Sequence, residues 1–503
     1  MRHRGHPKLT SSEANMGTLM MSDLDRADLA MLLARLDWPV PSVRWWAIQE
    51  VASLLASEEF CGQVETALIE QLSATFFETE VTELLFVFWL ASQDGYSVPD
   101  KLGTAIAARS QLTLLLLQDA GYSGVSHGYL SSPLLLAPSS FSPPDDLVRA
   151  EGTEVPRIIG TILRRLEQKS GHPFLAQYAF EWTSRLRRRQ AIWLDVSHFY
   201  SRTREGVTGQ FVSQASHRGR SAYLRVLEIA REYWGLPDHI AADYSLMALP
   251  IDPLLAKLRP AHPTWLLKWP QEQTANVETL SAYVRNMLTR FEHENGNKVL
   301  GAFSSLIHQS NLEVLDLTVT LWARLSERRV DAQHLAELTL DKEWHNTLHS
   351  DGLSTVGWCE PDDSLSELAN TGAKIIPVTG RVHPTRHGYL NSEVTSRGIY
   401  APLQIIGDTV VEVSPLDTML AYSMDRLVVG TSQIWNMAWQ PFHLRDTGPC
   451  CGTCLTLVEE HLPLLMQNIP REYQYLWEVK RLSRKQEHQP FTSETLVGMV
   501  AME

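Results

Sequence analysis

The chain has 503 residues, 44% hydrophobic and 20% charged, with a formal charge of −14. That balance supports packed cores, and the length fits two to four domains of about 100 to 200 residues each. An acidic excess argues against wide nonspecific contact with nucleic acid or anionic membrane, which need a positive field. The cysteines Cys61, Cys359, Cys450, Cys451 and Cys454 are too sparse and too few for a secreted disulfide framework, so a reduced, cytoplasmic chain is expected. No apolar run follows the basic N-terminus before Asp23, as a secretory signal would require. Leu84 to Ala91, the longest strongly apolar stretch, falls short of the about 20 residues a membrane-spanning helix needs, so no membrane association is expected.

Residues 1–22 have no hydrophobic period and read as a mobile tail. From Ser22, cap-type residues and Leu24, Ala27, Met31, Leu32 and Leu36 predict a helix ending before Pro39. Pro41 opens the next helix, since its missing N–H lies in a first turn where no partner is needed. Val43, Ala47, Val51, Ala52, Leu54 and Leu55 line one face of it. Further helical patterns cover Gly62 to Ala74, Glu78 to Ala91 and Asp100 to Gln118.

The unit from Leu36 to Leu55 resembles a HEAT-like repeat, through Asp37, Val43, Arg44, Ala47, Leu54 and Leu55. It departs from that pattern in the bulky Trp45-Trp46 pair. The resemblance covers about residues 22–118 and implies stacked helical hairpins, an α-solenoid with an extended surface for partners. It is silent on activity.

A Gly, Ser and Pro-rich stretch over 121–150 reads as a loop or linker. Helical periodicity then covers Val155 to Lys169, Phe174 to Gln190, His217 to Trp234, Asp238 to Leu249, Asn276 to Asn295 and Leu312 to Asp341, predicting a second all-helical domain over 151–365. From 366 to 503 short β-branched and aromatic runs predict a small β-rich module: Lys374 to Val378, Gly398 to Ile406, Thr409 to Val413, Arg426 to Val429, Ile434 to Trp439 and Thr453 to Val458. The charged pattern Arg471 to Glu487 predicts a C-terminal helix. The expected fold class is mainly α: N-terminal solenoid-like hairpins over 23–120, the second helical domain, and this α+β module.

Cys451 and Cys454 have the spacing with which two thiolates grip zinc from a tight turn, and His443 and His461 are the candidate completing ligands. A second closely spaced ligand pair is absent, and ordinary reduced cysteines at a β-turn are the competing reading; no cofactor is expected. Gly124-Val125-Ser126-His127-Gly128 matches the nucleophile-elbow pattern without the strand and helix that should flank it. Glu478-Val479-Lys480 matches the Glu-x-Lys half of a restriction-type nuclease site, but a helix would turn Glu478 and Lys480 to different faces. His383, His387, Trp435 and Trp439 have no mechanism attached by spacing. Arg185, Arg187, Arg188 and Arg189, with Arg164, Arg165, Arg218, Arg220 and Arg225, make a candidate anion or nucleic-acid face. No phosphate-cradling NTPase loop occurs, so a partner is expected to supply any NTP hydrolysis or effector activity.

These features favour a non-catalytic scaffold, adaptor or sensor subunit of an intracellular protein complex. The alternatives are a diverged metal-dependent hydrolase or nuclease centred on the β-rich region, and a nucleic-acid-binding protein using the arginine-rich helices.

Overall fold

The computed structural model describes residues 26–38, 41–106, 109–122, 124, 134–144, 157–185, 214–259, 262–267, 276–310, 312–324, 375–382, 388–390, 398–402, 411–416, 419–436, 448–465 and 472–502. The expected tail at 1–22 lies outside these residues.

The helices of the first 120 residues are α1 (Arg26–Ala34), α2 (Pro41–Leu55), α3 (Cys61–Ala74), α4 (Glu78–Ser92), α5 (Leu102–Ala105) and α6 (Gln111–Asp119). A capping box starts α6, where Ser110 and Thr113 satisfy each other's backbone N–H. That cap explains why the pattern read as one helix from Asp100 to Gln118 is divided in two. Helix α4 is buried almost from end to end, Glu78 to Ala91, so it is the central helix of this group. The Trp45-Trp46 pair divides between inside and outside: Trp45 is wholly buried, while Arg35 stacks on the half-buried Trp46 with its guanidinium 5.1 Å from the ring centre.

Next come α7 (Arg157–Ser170), α8 (Phe174–Phe180), α9 (Gln214–Trp234), α10 (Asp238–Ser245) and α11 (Val277–Asn295). A wide, π-type turn, Glu181–Arg185, extends α8. The Asn276 and Thr279 capping box starts α11, and Gly296, at φ 64°, ends it. Ile159, Leu163, Tyr178, Tyr223 and Leu227 build a core of their own between α7, α8 and α9.

The C-terminal half is dominated by one antiparallel sheet. Its strands are β1 (Lys298–Ser310), β2 (Glu313–Arg324), β3 (Ile375–Pro377), β6 (Glu412–Leu416), β7 (Met419–Met424), β8 (Leu427–Asn436), β9 (Gly448–Val458), β10 (Glu472–Ser483) and β11 (Thr492–Ala501). The order is β11-β10-β2-β1-β9-β8-β7-β6, with β3 paired to the end of β2. A separate ribbon, β4 (Thr379–Val382) with β5 (Ile399–Pro402), packs against β8 and β9. The last helix, α12, is Leu462–Leu465. Helix α11 lies against β1 and β11, and a continuous core joins Trp45 and Phe86 of the helices to Phe303, Leu317 and Trp477 of the sheet.

Helices and sheet together make a mixed α+β protein, not a mainly α one. Two expectations of local structure are corrected. Glu313–Arg324 is a strand, although Leu312 to Asp341 reads as a helix; Leu315, Leu317, Val319 and Leu321 are wholly buried at every second position. Glu472–Ser483 is likewise a strand within the expected C-terminal helix, with Tyr475, Trp477 and Val479 buried on one face. Because β2 pairs with β10 over twelve residues, each strand has a neighbour that outweighs its helical propensity.

Candidate functional site

The most unusual chemistry among the described residues lies where α2, α4 and α9 meet the turn at Tyr389. Arg44, Glu83, His217, Arg220 and Tyr389 are all buried there. Charged side chains are rarely buried unless paired, and these are. The Arg44 guanidinium forms an ion pair with Glu83 Oε2, and the Tyr389 hydroxyl donates to Glu83 Oε1. Arg220 stacks on the Tyr389 ring, 3.6 Å from its centre. The backbone holds Tyr389 in place: its N–H donates to Leu249 O at 3.2 Å, and Leu390 N–H to Pro250 O at 2.9 Å.

His217 sits between these charges and is neutral. Burial, with Arg44 and Arg220 nearby, holds its pKa well below the ordinary 6.5. Its Nε2 lies 3.4 Å from Arg44 Nη2, and arginine has no acceptor, so this nitrogen accepts and the proton is assigned to Nδ1. Nδ1 then donates to Thr79 Oγ1 at 3.1 Å, and the Thr79 hydroxyl lies 3.1 Å from its acceptor, the His217 carbonyl. Ser221 Oγ accepts from the Thr79 N–H at 3.2 Å. The 3.9 Å approach of His217 Nε2 to Glu83 Oε1 is therefore no ion pair.

One turn further along, Arg225 Nε lies 2.5 Å from Glu78 Oε1, and its Nη1 lies 3.6 Å from Glu181 Oε2. Desolvation raises the Glu78 pKa, with Arg225 acting against that rise. Gln177 Nε2 donates to Glu181 Oε1 at 3.2 Å and to Leu135 O at 3.0 Å, so the network reaches the segment before α7. The π-type turn places Glu181 at the end of this chain of charges.

Glu83 also faces a cavity of about 160 Å³. Asp37, Glu80, Gln71 and Thr75 supply its polar wall, and Leu36, Ile48, Ala74 and Leu84 its apolar one. The acidic wall favours cations.

The arginines expected to form an anion face are placed differently. Arg220 and Arg225 turn into the network, and Arg218 stacks on Trp182 at 4.6 Å while its Nε donates to Trp182 O at 2.9 Å. Arg185 ends the π-type turn, and Arg187, Arg188 and Arg189 lie outside the described residues.

Cys451 and Cys454 lie on strand β9 rather than at a turn. Three residues apart and in unbroken register with β1, they project to opposite faces. Burial pushes the Cys454 thiol up to about 12, against the thiolate that zinc would need. His461 Nδ1 lies 3.1 Å from Val428 O, and His443 is outside the described residues, as are His383, His387, Trp439 and residues 125–128 of the Gly-x-Ser-x-Gly match. Trp435 is buried in β8. Among the described residues, no three His, Cys, Asp or Glu side chains gather where they would hold a metal, and no helix is long and apolar enough to cross a membrane.

Strand geometry does change Glu478-Val479-Lys480. Two apart on β10, Glu478 and Lys480 share a face, and Asp316 of β2 is the direct neighbour of Lys480. This aspartate is not singled out in the sequence, because its strand reads as a helix there.

The internal network has a sequence signal that composition conceals. His217, Ser221, Arg225 and Glu228 recur at helical spacing on one side of α9, and Glu78, Thr79 and Glu83 lie in the first half of α4, a strongly apolar helix among the described residues. A polar stripe on an otherwise buried helix needs a polar partner stripe. No protein-family model and no curated protein matches the chain.

Proposed function

We propose that the protein is a non-catalytic scaffold or adaptor subunit of an intracellular protein complex, with the HEAT-like α-solenoid reading of residues 22–118 as its partner-holding part. The observation that carries this reading is the Arg44–Glu83–His217–Tyr389 network, whose hydrogen bonds are directed to one another and tie together four segments far apart in sequence. Such a lock gives a rigid platform, as a surface that binds without reordering requires. Met31 and Trp38, 59% and 51% exposed, provide apolar anchors on the same helical unit. A partner that supplies NTP hydrolysis or an effector activity fits this role.

Crosslinking and purification from the native host test the proposal. A stable partner, lost when Met31 and Trp38 are both changed to Ser, is the expected result. Capture of no partner overturns it.

A second reading, a diverged metal-dependent hydrolase or nuclease, is favoured by Asp316, Glu478 and Lys480 sharing one face of β2 and β10. Two carboxylates and a lysine are a set that holds Mg²⁺ and stabilises charge on a phosphodiester. Mg²⁺-dependent cleavage of DNA or RNA that Glu478→Ala abolishes supports it; cleavage unchanged by that substitution, or none, removes it.

A further inference from the structure

The cavity beside Glu83 is open to solvent at one end and buried at the other. Its lining passes from the exposed Asp37 and Ala74, through the half-buried Glu80, to the buried Leu36, Ile48 and Glu83. At about 160 Å³ it is smaller than the about 300 to 1,000 Å³ of sites for cofactors and drug-sized ligands, so it takes a side chain and not a nucleotide. The buried end keeps acceptor capacity. A carboxylate has about four lone-pair sites, and Glu83, 6% exposed, receives two hydrogen bonds, from Arg44 and from Tyr389. A further donor arriving through the cavity adds a charge-assisted bond.

The chemistry of the lining selects the donor. Asp37, Glu80 and Glu83 bring three carboxylates, and no basic residue is among the described lining; Arg44, behind Glu83, offsets part of that charge. A metal ion is a poor match, because it draws its ligands to within about 2 to 2.6 Å of one point, and among the described residues no three such groups gather that closely. Acceptors spread around a cavity suit a guanidinium, whose planar fork carries five N–H donors and is more weakly hydrated than an ammonium. An aliphatic stem suits the apolar wall of Leu36, Ile48 and Leu84.

We propose that this cavity is a socket for an arginine side chain of a partner protein, which enters between Asp37 and Ala74 and directs its guanidinium to Glu80 and Glu83. The assignment rests on the scaffold reading of the same helices and gives the partner a chemistry. Trp38, which follows Asp37 and is 51% exposed, offers an apolar contact to a residue beside that arginine. The net charge of −14 steers a basic segment toward the chain.

Fluorescence anisotropy of the full chain with a labelled heptapeptide of alanine and leucine carrying one central arginine tests the socket, against the same peptide carrying neutral citrulline. The arginine peptide should bind about tenfold or more tightly. Ala74→Trp, which fills the entrance without changing charge, and Asp37→Asn should each weaken it about fivefold. Both positions are exposed, so the urea midpoint should stay in place. Equal binding of the two peptides, no binding up to about 1 mM, or arginine binding that Ala74→Trp leaves intact overturns the proposal. If spermine or MgCl2, and neither peptide, raises the melting temperature of the natural chain but not of Ala74→Trp, the cavity holds a small cation and the proposal is likewise overturned. The scaffold reading fails separately, by capture of no partner; a captured partner that survives Ala74→Trp overturns the socket alone.

Discussion

Arg44 is buried among groups that cannot reach water, so its partners depend on it more than a surface pair would. Changing Arg44 to Ala leaves Glu83 charged and short of its main partner, at a cost of about 3 to 5 kcal/mol. Replacing both, Arg44→Met with Glu83→Leu, should cost distinctly less, because no orphan charge remains. Urea denaturation of the two variants checks both expectations; an equal loss would mean that packing and not charge governs the site. His217 gives the network a pH dependence. An unfolded histidine binds a proton near pH 6.5, whereas the folded imidazole resists it to well below that value. As pH falls through about 6.5 the unfolded chain takes up the extra proton, so this residue lowers stability by at most about 1.4 kcal/mol per pH unit, with no effect well above 6.5. The buried carboxyls with raised pKa, Glu78, Glu228 and Asp252, act in the opposite sense. The contribution of His217 is therefore read as the difference in slope between the natural protein and His217→Gln, from denaturation at several pH values between about 5 and 8. Arg44 itself is visible in the sequence as part of the repeat-like unit. Its partners are not, because Glu83, His217 and Tyr389 lie 39, 173 and 345 residues away and no periodicity joins them.

At the scale of elements, burial decides what periodicity leaves open. Helices α2, α3, α4 and α11 stand close to where their apolar spacing predicts them, because α3 and α11 each carry a continuous apolar stripe, α4 is buried nearly all round, and stops such as Gly296 end the pattern. Strands β2 and β10 are legible only as alternation, Leu315-Leu317-Val319-Leu321 and Tyr475-Trp477-Val479, which Leu content and flanking charges obscure. Strand β9 shows what an element does to a motif. Laid out straight, Cys451 and Cys454 diverge, and Gly452 between them is required because a Cβ would enter the Trp435 ring. Gly452→Ala should destabilise the sheet by about 1 to 3 kcal/mol as overpacking does, seen as a lower denaturation midpoint. Alkylation followed by mass spectrometry should modify Cys451 before Cys454, since Cys454 is 1% exposed and its thiol is held near 12. Equal rates would place Cys454 at an accessible surface and contradict the register.

The whole molecule is joined by pairings between distant parts of the chain. Strands β1 and β2 occupy the middle of the sheet, with β9 on one side and β10 on the other, so the halves of the sequence are interleaved. Cutting the chain near residue 350 should leave two fragments that do not fold cooperatively alone, since each lacks the central neighbours of its strands. Co-expression should restore a complex with a cooperative urea transition. A separately folded N-terminal fragment would show instead that the helical part is independent of the sheet. The sequence by itself determined where most helices run, where apolar surface must be buried, and that the cysteines form no dense framework, because these follow from local spacing and composition. Only the tertiary structure decided that Glu313–Arg324 and Glu472–Ser483 are strands, that Arg220 and Arg225 turn inward, and that Glu83 meets Arg44 and Tyr389. Those outcomes depend on which distant segment supplies the missing hydrogen bond or charge, and local sequence does not encode that choice.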